Sequence, residues 1–170
     1  MNWNKFLKEG DEAVAKVYRG LLKRGINAGQ SILTQFNTDE DIPVYDSSGK
    51  KIFWISVKSV GNKIVDPKNP PGNFQGYLCG EVESKQWVNP PSVIIWLCNS
   101  TNVSWGAITP KRLSTKWHIF PDRYGKVRDE RKSRLTGQDE YMYPSWRVPI
   151  DCIITKDEVI AYIQSLCAEL

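Results

Sequence analysis

Two short runs, Asp41-Ile-Pro-Val-Tyr-Asp46 and Lys51-Ile-Phe-Trp-Ile-Ser-Val-Lys58, flank the turn-forming segment Ser47-Ser-Gly-Lys50. Alternating and β-branched apolar residues on both sides of such a turn are the signature of a β-hairpin. Pairing Asp46 with Lys51 sets the antiparallel register: Ile42 faces Ile55, Val44 faces Phe53, and Asp41 faces Ser56. Lys58 follows two residues beyond Ser56 on the same side of the strand. The hairpin is therefore expected to bury Ile42, Val44, Phe53, Ile55 and Val57 on one face. Asp41, Ser56 and Lys58 gather on the other, and strand parity puts Trp54 with them.

The remaining pattern supplies the elements around this hairpin. Val14, Val17, Tyr18, Leu21 and Leu22 recur at helical spacing, with Asp11 as the expected N-cap and Gly25 as the left-handed stop. Residues 26–36 are expected to form a first strand. Residues 61–73, with Pro67, Pro70, Pro71 and Gly72, read as a loop beside the strand ending at Lys58. Val93 to Cys98 and Val103 to Ile108 read as a hairpin at the sheet centre, and further strand is expected near 146–154. Thr155-Lys-Asp-Glu158 is a capping box, and Val159, Ile163, Leu166 and Leu170 carry a helical stripe behind it. A chain of 170 residues fits one domain, 1–170, of α/β class: a central mixed sheet flanked by an N-terminal and a C-terminal helix.

Charge is unevenly placed. Residues 111–134 hold nine basic residues against Asp122, Asp129 and Glu130, a local +6 in a chain of net charge +4, so the rest sums to −2. The nine are Lys111, Arg112, Lys116, Arg123, Lys126, Arg128, Arg131, Lys132 and Arg134, interleaved with Trp117, Phe120 and Tyr124. Such a segment offers phosphate contacts with stacking surfaces to a nucleic acid. A solvated loop has a similar composition, and residues 121–140 are expected to be a long exposed loop. Trp54, Trp87, Trp96, Trp105 and Trp146 read as core or sheet-face residues. Cys79, Cys98, Cys152 and Cys167 lack metal-ligand spacing and the sole histidine, His118, has no visible partner, so zinc is not expected and the thiols are read as free. No leader-like or membrane-length apolar run is present, and a cytoplasmic location is expected.

The Asp at the head of one strand and the x-Lys ending the next, here Asp41-Ile-Pro-Val and Ile55-Ser-Val-Lys58, resemble the core of the PD-(D/E)XK nuclease-like superfamily. The segment Gly10 to Gly25 is similar to that superfamily's first helix, with Glu12 in the place of its acid. The resemblance implies a restriction endonuclease-like core and a Mg²⁺- or Mn²⁺-dependent endonuclease that hydrolyses phosphodiester bonds of nucleic acid, DNA in the first place. It implies Asp41 as principal metal ligand, Glu12 and the carbonyl of Val57 as further ligands, and Lys58 as the catalytic cation. Ser56 stands where the family has Glu, Asp or Gln, and it offers only a neutral hydroxyl. A homodimer is the corresponding expectation for cutting two strands.

Other readings of these residues stay open. Glu12 is also consistent with a solvated helix position, and the acids Asp39 to Asp41 with a solvated loop. Asp41 and Lys58 are also consistent with a surface cross-strand ion pair worth about 0.2–1 kcal/mol. Function accordingly has two alternatives beside the nuclease: an inactive nuclease-fold module that binds DNA or protein, and a small protein-interaction domain.

Overall fold

The computed structural model describes residues 3–35, 39–72, 74, 76–120 and 144–169. Helix α1 spans Trp3–Lys23 and so begins well before Asp11, the residue expected to cap it. The earlier turns are built from good helix formers, with Lys5 and Glu9 paired at 3.9 Å one turn apart. Gly10 is tolerated inside the helix, and Glu12 lies in its interior instead of its first turn. The stop at Gly25 is as expected. With φ at +75° it lets its own N–H reach the Leu22 carbonyl at 3.0 Å, while Ile26 N donates to Leu21 O at 3.1 Å.

The segment 26–36 does not become one long strand. Strand β1 (Ile32–Leu33) pairs with β2 (Asp39–Glu40) as a separate two-stranded ribbon, and Ala28 makes an isolated bridge to Val44. At Gly29 the chain runs against the hairpin, where an added Cβ would meet the Tyr45 ring at 2.6 Å. Its neighbours nonetheless bind the hairpin: Gly29 N donates to Pro43 O at 2.8 Å and Tyr45 N to Asn27 O at 2.9 Å.

The hairpin comprises β3 (Ile42–Tyr45) and β4 (Lys51–Val60). Its register pairs Ile42 with Ile55 and Val44 with Phe53, as the sequence reading has it. Near the turn a bulge shifts the register so that Tyr45, not Asp46, faces Lys51. The cause is the Asp46 carboxylate, which folds back as a local cap: its Oδ1 accepts from Ser48 N at 2.9 Å, Ser48 Oγ at 2.7 Å and Lys50 N at 2.9 Å.

After β4 come β5 (Tyr77–Glu81), β6 (Val93–Cys98), β7 (Val103–Ile108), β8 (His118–Phe120), β9 (Ser145–Val148), β10 (Ile154–Thr155) and helix α2 (Lys156–Ala168). The main sheet has the order β10-β7-β6-β4-β3 and is mixed: β6 runs parallel to β4, the other pairs are antiparallel. The β6–β7 hairpin is central, as expected. The strand expected near 146–154 divides, with β9 in a second sheet, β10 at the edge of the main one, and a 3-10 turn (Ile150–Cys152) between them.

Alternation along the strands splits the interior in two. Ile42, Val44, Ile55, Val57, Val93, Ile95 and Leu97 pack with Ala13 and Leu21 of α1 and with Val159 and Ile163 of α2. Of the expected α2 stripe, Val159 and Ile163 enter the core while Leu166 is only half-buried and Leu170 lies outside the described residues, and the capping box is present: Glu158 N donates to Thr155 Oγ1 at 3.2 Å and Thr155 N to Glu158 Oε1 at 3.1 Å. Gly106 on β7 permits the close helix contact, since an added Cβ would meet Val159 Cγ2 at 2.6 Å. On the other face Ile94, Trp96, Cys98, Trp105 and Ala107 pack with Tyr77, Cys79, Trp117 and Val148. Those partners belong to or adjoin the second sheet, order β5-β9-β8, which the sequence reading did not foresee. The described residues form a three-layer α/β arrangement: two helices, a mixed sheet, and a small antiparallel sheet.

Candidate functional site

The antiparallel register of β3 and β4 brings Asp41 beside Ser56 and Val57. Asp41 Oδ2 accepts a hydrogen bond from Val57 N at 2.8 Å and a longer one from Ser56 Oγ at 3.4 Å. Lys58 is close enough for its charge to act on Asp41. The polar cluster read from the hairpin is therefore assembled, but it does not lie on an open sheet face. Ser56 is buried, and Asp41 and Lys58 are half-buried, because the small sheet and its loops cover this side. Trp54 shares the side by parity and is buried too, its Nε1 donating to Asn89 O at 2.8 Å.

Burial pushes the Asp41 carboxyl above its ordinary range. Lys58, the Val57 N–H and the Ser56 hydroxyl pull the other way without cancelling it. Lys58 has no ion pair within 4 Å among the described residues and also lies near the thiol of Cys79, which burial pushes up to about 12. The site is thus a carboxyl and an ammonium that act on one another without a direct ion pair, held at the border between two packed layers.

Glu12 is not brought to this centre. It is exposed on α1, and α1 packs on the opposite face of the sheet. The charges that act on Asp41 are Lys58 and Asp39. Of the other acids near the hairpin, Glu40 is fully buried and already committed: both its oxygens bind Lys51 Nζ, at 2.7 and 2.6 Å, and Oε1 also accepts from Asn89 Nδ2 at 3.2 Å. That buried ion pair is the feature sequence reasoning did not single out. A run of three acids does not say which one faces inward.

This donor set does not fit a resident Mg²⁺ or Mn²⁺. A hard divalent cation takes oxygen ligands, typically with one or two carboxylates and substrate phosphate. Here one carboxylate is present, one of its oxygens is already bound to the backbone, and Ser56 turns its hydroxyl toward Asp41. Among the described residues no group of three or more His, Cys, Asp or Glu is placed to hold a metal ion.

The basic segment divides. Lys111, Arg112 and Lys116 are exposed around a 3-10 turn (Leu113–Thr115) that leads into β8. Arg123, Lys126, Arg128, Arg131, Lys132 and Arg134 lie outside the described residues, as does the loop expected at 121–140. Trp117 corrects its reading as a stacking surface: it is buried in the second core, edge-on to Trp87 with ring centroids 6.3 Å apart. An indole seated there contributes packing, not base contact. His118 is exposed, and all four cysteines are free. No helix among the described residues is long and apolar enough to cross a membrane.

Fold and site together define a mixed-sheet α/β domain with a carboxyl and ammonium centre on its hairpin. Comparison with protein-family models, curated proteins and solved structures finds no match to this chain.

Proposed function

We propose that the chain is a nucleic-acid-binding domain, with DNA as its partner, on a nuclease-like frame that contacts phosphate without a resident metal. The observation that carries this reading is Lys58. A half-buried ammonium with no ion pair within 4 Å among the described residues is a ready partner for a phosphate oxygen. The exposed Lys111, Arg112 and Lys116 add positive charge elsewhere on the surface.

A second reading, Mg²⁺- or Mn²⁺-dependent endonuclease activity, draws support from Asp41 Oδ1, which carries no hydrogen bond among the described residues. It requires anionic ligands that the described residues do not bring to the centre.

Fluorescence anisotropy with labelled single-stranded and duplex DNA across a salt series tests the first reading. Affinity should fall steeply with salt, and Lys58→Ala should flatten the logarithmic salt slope by about one. No affinity at low salt would leave the protein-interaction alternative. Nicking assays with Mg²⁺ or Mn²⁺ test the second: cleavage should vanish in Asp41→Ala, and full activity in that variant would remove Asp41 from the centre.

A further inference from the structure

The helix face of the main sheet carries a feature unrelated to the hairpin centre. Between α1 and α2 a groove of about 520 Å³ opens over strands β6 and β7. Gly20, without a side chain, and the short Ser104 leave the space. Aliphatic side chains line part of its floor and walls, Val17 and Leu21 of α1, Ile95 and Leu97 of β6, Val159 and Ile160 of α2, beside the polar Asn102 and Ser104. Its rim is cationic: among the described residues Lys16, Arg19, Lys23, Arg24 and Lys156 border it and no acidic residue does.

Helix electrostatics explain only part of that rim. Lys23 and Arg24 close α1, where positive charge favours the helix dipole. Lys16 lies about two turns earlier, and Lys156 is the first residue of α2, where the dipole opposes a cation. None of the five makes an ion pair within 4 Å among the described residues. A volume of this size is that of a small-molecule site.

We propose that this groove binds a small amphiphilic anion, a phosphate or carboxylate head group on an aliphatic body. The rim takes the head group and the floor takes the chain. Aliphatic walls favour this ligand over a nucleotide, whose base would seek an aromatic face. Trp105 borders the groove but is buried in the opposite, aromatic core. The site lies on the other side of the sheet from Asp41 and Lys58, so this proposal stands or falls independently of the function proposed above.

Decyl phosphate, below its micelle concentration, is the probe, followed by calorimetry and by displacement of an anilinonaphthalene sulfonate dye. One molecule should bind per chain. Gly20→Leu fills the groove from a helix position where an added Cβ meets only Arg24 Nη1, at 3.5 Å, and should abolish binding. Lys16→Gln with Lys156→Gln, both exposed, should weaken it about tenfold, while Lys58→Ala leaves it unchanged. Far-ultraviolet circular dichroism checks that each variant folds. Equal affinity for octyl glucoside, a neutral amphiphile, would overturn the proposal, as would unchanged binding in the filled and double variants. Displacement by a DNA oligonucleotide that binds more tightly would also overturn it and assign the groove to nucleic acid. Binding of inorganic phosphate as tight as that of decyl phosphate would remove the apolar half of the argument.

Discussion

The two faces of the main sheet are built by different chemistry. The helix face is aliphatic: Val, Ile and Leu meet two helices whose apolar stripes repeat with the helical period. The opposite face is aromatic, and directional bonds tie its rings to backbone carbonyls of β5 and of loops. Trp96 Nε1 donates to Leu78 O at 3.0 Å, Trp54 Nε1 to Asn89 O at 2.8 Å, Trp87 Nε1 to Glu81 O at 2.9 Å, and Tyr77 Oη to Pro67 O at 2.7 Å. Aliphatic packing needs only shape and area. Here a loop-rich layer is fixed by ring N–H and O–H groups bound to carbonyls, although Trp105 Nε1 in the same core is buried without a partner among the described residues. The polar centre of the hairpin falls on this second face, where backbone carbonyls and N–H groups are already part of the packing.

The strongest way to break the contrast is Trp96→Ala. It removes a fully buried indole and leaves Leu78 O without its donor, and should cost about 3–5 kcal/mol in urea unfolding. A cost near 1 kcal/mol would mean that the aromatic layer is not a packed core. Lys51→Met tests the fully buried Glu40 beside the hairpin. It strands the Glu40 carboxylate and should cost ~2–3 kcal/mol, less than a wholly buried pair because Lys51 keeps 34% of its side-chain exposure. Lys51→Arg should recover part of that loss, which a mere loss of apolar contact would not predict.

The smallest effect is expected at Asp41. Its folded carboxyl holds a proton more tightly than an unfolded aspartate does. The associated stability is therefore present below the unfolded value, about 4, and is lost as pH rises through the folded one. Asp41→Asn lacks this titration, so its unfolding midpoint should gain on the wild type as pH is raised through that window. A difference that stays constant with pH would show that burial does not govern this carboxyl.

Legibility follows the same division. The capping box, the Gly25 stop, the β3–β4 register away from the turn, and most of the α1 stripe were readable because each repeats a period or fixes a turn, whereas Leu22, expected in that stripe, is exposed. Asp41, Ser56 and Lys58 were placed together by strand parity alone. The start of α1 was misplaced because Asp11 offered a plausible cap, whereas the earlier turns rest on propensity and one surface pair. The small sheet was not readable: β5 carries a register shift between Leu78 and Gly80, and β8 is only three residues long. Trp117 sat in a basic run and looked exposed, and nothing in its neighbours announced the Trp87 contact. The Glu40–Lys51 pair joins two surface-like residues across a bulge, a geometry that no spacing rule supplies.

The partners of β3 also bear on association. Along its outer side, Pro43 has no N–H to offer, its carbonyl is taken by Gly29, and Tyr45 N is taken by Asn27. At the other margin β10 lasts two residues before the chain turns into α2. Both borders of the main sheet are thereby closed to strand addition, which guards the molecule against edge-to-edge aggregation. A second copy, if one docks, has to do so through a face or a loop and not by lengthening this sheet.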